Sequence, residues 1–551
     1  MTNKEYADFL LPNVEHTWEE YEAMYPERKL DDKAIVSRYA PSPTGLPHMG
    51  NLFQSFMSMT FCKQTNGVFF LRIEDTDTER SIDDGINKIL EAVKPFNIKF
   101  DEGVTSQDTE TGNYGPYIQS KRQDIYKAFA KKLIEEGKAY PSFATKEELE
   151  QIHEKQEKFK QRFGYYGRYA TDRTLSQEEV IKRIENGEKY IIRLKSPGNY
   201  DNKITVIDAI KGKIEMPEND IDEVLIKSDG LPTYHFAHAV DDHLMHTTHV
   251  IRGDEWISSL PKHIQLFEAI GAKPPQYAHL APLNKNDNGQ IRKLSKRKDP
   301  EASLMYYIEE GIPTEAVMLY LATITNSNFE GWLDQNPNGK IEDFKFDFKR
   351  ANASNGSLFD LPKLLNISKN YISRLTKDEV YNKALEYAKK YDEELYNLLT
   401  KYEDYSKAIF NIEREQKKPR KDYSKFSDIK EQIWYMYDEL FNTRELNYEF
   451  GQTDKEEIKT ILTTYINEYY DESDDKETWF NKMKELSTKL GYAAEVKEYK
   501  ANPDNYKGHV GDISMVLRVG LTTKTMTPDL YEIMRILGKE KIKERYEKIT
   551  K

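Results

Sequence analysis

Two short stretches of this 551-residue chain carry the residue types that handle phosphate. The first, SRYAPSPTGLPHMGNLF (37–53), packs three prolines, two glycines and one histidine between an apolar run, AIV (34–36), and an apolar-periodic one. It reads as strand, tight loop, helix. Such a loop aims backbone N–H groups and the positive helix end at whatever sits above the sheet. Gly45 and Gly50 let a flat base or a phosphate approach the backbone, and His48 is placed to donate a hydrogen bond to a phosphate oxygen as charge builds there. Without GxGxxG or GKS, the same stretch also suits a proline-stiffened surface loop with a solvated histidine. The second stretch is NGQIRKLSKRKDP (288–300), in which five of the eight residues Ile291 to Lys298 are basic. A mobile loop of this kind swings lysines onto a polyphosphate, where ammonium groups stabilise charge on a pentacovalent α-phosphate and on leaving pyrophosphate. Alone, it fits a solvated face or a general anion patch equally well.

The surrounding pattern supplies a scaffold. Residues 1–33 read as a short, acidic, mostly helical extension. AIVSRYA (34–40) suits a buried strand. NLFQSFMSMTFCKQTNG (51–67) puts Leu52, Phe53, Phe56, Met57, Thr60 and Phe61 on one helical face, with Asn66-Gly67 as the C-cap. VFFLRIED (68–75) reads as a second buried strand, completing a βαβ unit and predicting a parallel sheet. From about 142 to 230 the pattern changes to a charged helix (KEELEQIHEKQEKFKQRF) and strand-like pieces (KYIIRLKS, VLIKSDG), an insertion or second domain. Helix-then-strand patterning returns in TYHFAHAVDDHLMHTTHVIRGDEW (233–256). Beyond about 360 the chain reads as helix after helix; in EEIKTILTTYINEYY, Ile458, Ile461, Leu462, Tyr465, Ile466 and Tyr469 recur at helical spacing.

Composition bounds the function. At 551 residues about three to five domains are expected. Hydrophobic residues make up 38% and charged residues 32%, as in a soluble globular protein. No apolar run approaches the roughly 20 residues of a membrane span. The N-terminus lacks the basic-then-apolar pattern of an export signal. Cys62 is the only cysteine, which excludes disulfides within the chain and any multi-cysteine zinc site and fits the reducing cytoplasm. On a helical face, Cys62 reads as packing. The net charge of −13 argues against indiscriminate nucleic-acid binding but is compatible with a local basic face.

Taken together, the order of the two stretches is more specific than either. A βαβ unit with an HxG loop, followed by KLSK, resembles the class I aminoacyl-tRNA synthetases: PHMG (47–50) is similar to their HIGH signature and KLSKR (293–297) to their KMSKS signature. RYAPSPTGLPHMGN, LRIEDTD (71–77), SDGLPTYHFAHAVDDHLM (228–245) and THVIRGDEW (248–256) resemble the bacterial glutamyl-tRNA synthetases, as does the tail LRVGLTTKTMTPDLYEIMRILGKE (517–540). The resemblance covers about 34–551. It implies an α/β Rossmann-type catalytic domain in two halves, 34–141 and 234–290. An acceptor-binding α/β insertion, 142–233, separates them. The KMSKS loop and stem-contact domain, 291–360, comes next, and an all-α anticodon-binding region, 361–551, ends the chain.

The resemblance also assigns residues. For L-glutamate they are Arg38, Ala40, Ser42, Glu74, Tyr234, His238, Arg252 and Trp256. The arginines suit the side-chain carboxylate and Glu74 the ammonium group. For ATP they are Thr44, Gly45, His48, Gly50, Asn51, Lys293, Leu294, Ser295 and Lys296, with His48, Lys293 and Lys296 catalytic. Taken singly, Arg38 also fits a surface arginine, and Glu74 or Asp75 a helix N-cap. ATP arrives with Mg2+ held mainly by its phosphates and water. Glutamyl-adenylate forms with release of pyrophosphate, and the terminal ribose of tRNA-Glu then takes the glutamyl group. Adenylate formation is expected to depend on bound tRNA, and the enzyme to be a monomer. No editing domain is expected.

Three departures from the family stand out. Asn51 replaces a histidine in the HIGH-like signature. His238 stands where many relatives carry asparagine or an apolar residue, and fits either substrate selection or a hydrogen-bonded pocket wall. Where some relatives bind zinc, Ser142, Ala144 and Tyr169 stand instead of ligands, so no metal site is predicted. KKPRKDYSKFSDI (417–429) resembles a recurring family stretch and supplies charge for phosphates. Open at this point are whether tRNA-Gln is charged too, and two alternatives: a glutaminyl-tRNA synthetase, disfavoured by the helical rather than β-barrel tail, and a non-catalytic RNA-binding paralogue, disfavoured by the intact site residues. A truncated tRNA-nucleoside-modifying relative is too short.

Overall fold

Helices α1 (Asn3–Leu10) and α2 (Trp18–Met24) each start on a threonine capping box, Thr2 with Glu5 and Thr17 with Glu20. In this computed structural model, which describes residues 1–77, 82–351 and 357–551, the extension 1–33 is strapped to the α/β layer. Arg28 donates from both Nη groups to the Glu102 carboxylate at 2.9 Å each and from Nε to the Met245 carbonyl at 3.0 Å. Tyr25 donates to the Gly115 carbonyl at 2.6 Å, and Glu22 accepts from His243 at 2.6 Å.

β1 (Val36–Tyr39), α3 (Met49–Gln64) and β2 (Val68–Leu71) form the expected βαβ unit, with β1 and β2 parallel and Val36 opposite Val68. The apolar face of α3 is wider than its spacing suggested: Ser55, Ser58, Met59 and Cys62 are buried along with the residues read from the pattern. The helix ends in a Schellman turn, with Asn66, not Gly67, in the left-handed conformation (φ 51°). Gly67 answers a different need: a Cβ there would stand 1.9 Å from the Ile35 carbonyl oxygen. β3 (Glu102–Val104) extends the sheet in parallel and β4 (Glu110–Thr111) closes it antiparallel, after α4 (Gly85–Val93). α5 (Gln123–Glu135) comes next and buries Ile125, Phe129 and Leu133.

β5 (Ala139–Ser142), with α6 (Lys146–Lys158), α7 (Gln177–Glu185), β6 (Ile191–Leu194), the hairpin β7 (Lys203–Asp208) and β8 (Gly212–Pro217), and β9 (Val224–Ile226), builds a second α/β arrangement. Its sheet β5-β6-β9 is antiparallel. The turn after β5 is closed by Asp172, whose Oδ2 accepts from Ser142 Oγ (2.9 Å) and the N–H groups of Phe143 (2.8 Å) and Ala144 (3.2 Å). One carboxylate among hydroxyl and amide donors does not fit a zinc ion, which takes three or four thiolate, imidazole or carboxylate ligands.

α8 (Tyr234–Leu244) leads to β10 (His249–Gly253), and α9 (Leu260–Ile270) to β11 (Gln276–Leu280); β10 and β11 are parallel. β10 abuts the first strand of the chain, since Thr248 N–H donates to the Val36 carbonyl at 3.0 Å. The two separated stretches of sequence thus meet where β10, of the two-stranded sheet, abuts β1, of the four-stranded one. β12 (Leu283–Asp287) and β13 (Gln290–Lys293) form a hairpin, joined by β14 (Ser357–Leu358).

The chain divides into two compact units, 1–306 with 318–361, and 307–317 with 362–551. The second is helical as predicted, around a core that includes Val380, Leu399, Ile461, Leu462, Ile513, Leu517, Ile533 and Tyr546. The helix Lys455–Thr464 passes into a π-helical turn at Tyr465–Tyr469, so Tyr465 is buried while Ile466 and Tyr469 are only partly so. No helix of the described residues is long and apolar enough to cross a membrane.

Candidate functional site

The loop after β1 is pinned by its neighbours. Pro41 and Pro43 carbonyls accept from the N–H groups of Glu74 (3.0 Å) and Ile82 (2.9 Å). His48 then caps α3 with its ring: Nδ1 accepts from Gly50 N–H at 3.0 Å and Asn51 N–H at 3.3 Å, while Asn51 Oδ1 accepts from His48 N–H at 3.1 Å. Because Nδ1 accepts, the ring proton sits on Nε2, leaving one donor outside the cap. Asn51 thereby gains a role in the capping box. A Cβ at Gly50 would lie 2.9 Å from His48 Cε1, so the capping ring itself requires glycine there, whereas Gly45 faces open space. Ser42 and Thr44 are exposed on the loop and Ala40 half-buried. Burial, then Lys296 and Lys293, push the His48 pKa down to about 4.

The KLSKR turn meets this loop. Lys296 Nζ donates to the Leu46 carbonyl at 2.5 Å, joining residues 250 apart in sequence. The turn is closed by hydrogen bonds of its own. Buried Asp299 accepts from Arg292 Nη1 (2.6 Å) and Nη2 (2.8 Å) and from Ser295 N–H (2.8 Å), and Leu294 N–H donates to the Leu283 carbonyl at 2.9 Å. Arg292 is thus spent on structure, while Lys293 is exposed, 3.9 Å from Glu255. Sequence reasoning missed Asp299; its only signal was an acid beside five basic residues.

Behind the loop lies a buried charge cluster. Asp242, on α8, accepts from Arg38 Nε at 3.2 Å to each carboxylate oxygen and from Arg72 Nη1 at 2.7 Å. Arg72 Nη2 also donates to Glu74 at 3.0 Å. Asp241 accepts from Arg122 Nε (2.7 Å), Gln119 (2.9 Å) and Tyr126 (2.9 Å). Burial raises the Glu74 pKa against the pull of Arg72 and Arg38, and burial opposes ionisation of Asp242, but Arg38 and Arg72 hold it well below the usual carboxylate range. With Nε on Asp242, both Nη groups of Arg38 are without a partner among the described residues. Asp75 is not an N-cap; it accepts from Ser120 N–H (2.8 Å) and Oγ (2.6 Å).

His238 joins the cluster. It is fully buried, with Nδ1 2.7 Å from Asp242 and Nε2 3.0 Å from the Tyr277 hydroxyl. Tyr234 stacks on it at 6.1 Å and packs against Trp256 at 4.6 Å. Arg252, on β10, lies under Trp256 and Tyr277 and donates to His279 (3.0 Å) and toward His263 Nδ1 (3.1 Å) and the Trp256 carbonyl (3.4 Å). No carboxylate among the described residues pairs with this buried guanidinium. The structure therefore gathers Arg38, Glu74, Tyr234, His238, Arg252 and Trp256 in one cluster and His48 with Lys296 in a second. Sequence reasoning gave no role to Arg72, Asp241 or Asp242; charged residues inside apolar runs were their signal.

The buried histidines make the fold acid-sensitive. Burial pushes His48 and His238 down to about 4 and His235 to about 3, from an ordinary 6.5. Between those values the unfolded chain binds more protons than the folded one, so their contribution to stability is complete above 6.5 and lost as pH falls through the folded values. The melting temperature, followed by calorimetry, is expected to fall steadily from pH 6.5 toward about 4, and the fall to be shallower in His235→Gln; one flat from about pH 7 to about 5 contradicts this.

Residues 34–336 match the family described as tRNA synthetases class I (E and Q), catalytic domain, and residues 379–550 the one described as anticodon binding domain. Parallel strands carrying an HxG helix start beneath a KLSK lysine, followed by a helical unit, put the chain among the class I aminoacyl-tRNA synthetases. It is 48% identical to a glutamate–tRNA ligase of Clostridium beijerinckii over 551 residues, covering 100% of this chain and 99% of that one. It is 47% identical to that of Acetivibrio thermocellus over 550 residues, covering 100% of both. A crystal structure of a glutamate tRNA ligase from Elizabethkingia meningosepticum, in complex with its amino acid, is similar at TM-score 0.75 and 27% identity, covering 94% of this chain and 99% of that one. The chain belongs to the glutamate–tRNA ligases.

Proposed function

We propose that the first unit activates L-glutamate with ATP and transfers it to tRNA-Glu, with Arg252 and Arg38 taking the substrate's side-chain carboxylate. The observation that carries this reading is Arg252: a buried guanidinium held by neutral rings and a carbonyl, with no acid among the described residues to neutralise it. An uncompensated buried charge is costly, and an anionic ligand relieves it. Arg38 presents two unused Nη groups for the same carboxylate. Glu74 takes the ammonium group, whose positive charge favours the ionised carboxyl against its burial. Ala40 and Ser42 line the backbone end, and Tyr234, His238 and Trp256 wall the pocket. With Nε2 on the Tyr277 hydroxyl and Nδ1 2.7 Å from Asp242, His238 acts through Tyr277 and Asp242 rather than by direct contact.

ATP lies over Thr44, Gly45, His48, Gly50 and Asn51 and under Lys293, Leu294, Ser295 and Lys296, bringing Mg2+ on its phosphates. His48 donates from Nε2, and the lysines balance charge on the α-phosphate and leaving pyrophosphate, so catalysis is positioning and electrostatics without a protein nucleophile. The tRNA acceptor end rests on 142–233, the inner corner on 291–360 and the anticodon on 361–551. There Lys417, Lys418 and Lys421 are exposed for phosphates, while Arg420 is tied to Asp422 at 2.7 Å. The protein acts as a monomer in the cytoplasm.

The test is aminoacylation with radiolabelled glutamate on tRNA-Glu and tRNA-Gln transcripts in parallel. Charging of tRNA-Glu is the expected result. Failure with both transcripts and with native tRNA overturns the reading.

A further inference from the structure

Arg252 is held in an unusual way for a buried arginine. Its Nε donates to His279 Nε2 at 3.0 Å. An arginine has no lone pair to offer, so His279 must accept there and carry its proton on Nδ1. That nitrogen faces Asp208 Oδ2 at 2.6 Å. Asp208 ends β7 in the 142–233 segment and is nearly inaccessible to solvent. Its Oδ1 accepts from the N–H groups of Ile210 (2.9 Å) and Lys211 (2.8 Å), and its Oδ2 also accepts from His279 N–H (3.1 Å). Burial opposes its ionisation, but the bonds from His279, Lys211 and Ile210 prevail and hold its pKa below the usual value. His263 also offers Nδ1 to Arg252 Nη1 at 3.1 Å, but its Nε2 faces His235 Nδ1 at 2.9 Å rather than a carboxylate.

We propose that Asp208 and His279 are positioning residues that aim Arg252 at the substrate's side-chain carboxylate without neutralising it. This rests on the reading that Arg252 binds that carboxylate. A carboxylate bonded directly to Arg252 would fix the guanidinium equally well, but it would compete with the substrate for the same charge. A neutral imidazole supplies direction through one lone pair and leaves the positive charge for the ligand. Asp208, one bond further out, locks the tautomer that makes the lone pair available. Because Asp208 sits on a hairpin outside the Rossmann strands, the register of that hairpin sets the aim of the pocket.

Asp208→Asn tests the lock. Its NH2 group must face either His279 or the turn N–H groups; facing His279, it forces the other tautomer and points a ring N–H at Arg252 Nε–H. The glutamate KM is expected to rise about tenfold or more, with the KM for ATP and the Ki of L-glutamine, which lacks the side-chain charge, within about twofold. Should Asp208→Asn fail to fold, the pair at 279 decides. His279→Leu is expected to reproduce the loss, and His279→Gln, whose amide accepts from Arg252 and donates to Asp208, to recover most of it.

Arg252→Gln separates the two readings. If it loses glutamate affinity while Asp208→Asn and His279→Leu stay within about twofold, the positioning role is overturned and the carboxylate reading stands. If Arg252→Gln leaves the glutamate KM unchanged, the carboxylate reading falls and the positioning role with it. A parallel rise in the glutamate KM, the ATP KM and the glutamine Ki identifies residues that only hold the fold, and overturns the proposal.

Discussion

Asp242→Ala is expected to destabilise the catalytic unit by about 3–5 kcal/mol, because it takes away an acid shared by two buried arginines rather than removing one contact. Arg38 and Arg72 both end on this carboxylate, and all three side chains are inaccessible to solvent or nearly so. The neighbouring acids do not take over. Asp241, whose Oδ2 lies 3.8 Å from Arg72 Nε, takes its hydrogen bonds from Arg122, Gln119 and Tyr126. Glu74 already accepts from Arg72, and its burial resists full ionisation. Asp242→Asn keeps the shape and one acceptor and is expected to cost less. A chain of two compact units is not bound to unfold in one transition, so the transition to follow is the one that added ATP and glutamate raise. It should drop by on the order of 10 °C in Asp242→Ala. A drop of a degree or two would mean that water reaches the arginines and that the cluster is not the closed network its geometry describes. The same variant frees Arg38 Nε, so any residual activity should show a raised glutamate KM.

How much of the fold and site could be read from sequence depends on distance along the chain. The βαβ unit was legible because its signals are local: apolar runs of strand length, one helical period and a turn rich in proline and glycine. The histidine was legible as a loop feature and a candidate phosphate donor, but not as the cap of α3. HVGD (509–512) repeats the HMGN pattern of 48–51 and folds alike, His509 Nδ1 accepting from Gly511 N–H at 3.0 Å and Asp512 accepting from His509 N–H at 2.8 Å. Only the preceding strand and the distant lysine distinguish the 41–51 loop from an ordinary helix cap. The Schellman turn after α3 shows the same limit at finer scale: Asn-Gly marked the helix end, while a 1.9 Å approach to Ile35 decided which residue had to be glycine.

Pairings across long separations were not legible. Asp208 and His279 lie 71 residues apart, and neither has a local pattern that names the other. Arg38 meets Asp242 across 204 residues. The strap of residues 1–33 was equally silent, since Arg28 meets Glu102 and Met245 only once two sheet segments are assembled. What substitutes for such knowledge in the sequence is resemblance, which supplied Arg38, Glu74 and Arg252 as ligands but not the residues that hold them.

Lys296→Ala is expected to slow adenylate formation about 100- to 1,000-fold, the loss typical of one preorganised charge or donor at a transition state. The Lys296 ammonium rests on the Leu46 carbonyl, a neutral partner on the same loop that His48 terminates. Lys296 is solvent-exposed overall, but partial burial of its ammonium against the loop lowers its pKa from 10.5, so a little of its hydration is lost before substrate arrives. Transferring it from a carbonyl to an anionic phosphate oxygen therefore gains charge–charge interaction at a slightly reduced desolvation cost. That gain grows as negative charge accumulates on the pentacovalent phosphorus and the leaving pyrophosphate, which places the effect in kcat rather than in ground-state binding. Lys293 lies 3.9 Å from Glu255, an acid that shares its charge, so Lys293→Ala should cost less. ATP–pyrophosphate exchange with tRNA present measures the step. For Lys296→Ala the glutamate KM should stay within about twofold while the exchange rate collapses. A loss confined to the KM for ATP would instead make Lys296 a clamp on the ground-state phosphates, and the clamped turn around Asp299 a device for binding rather than for rate.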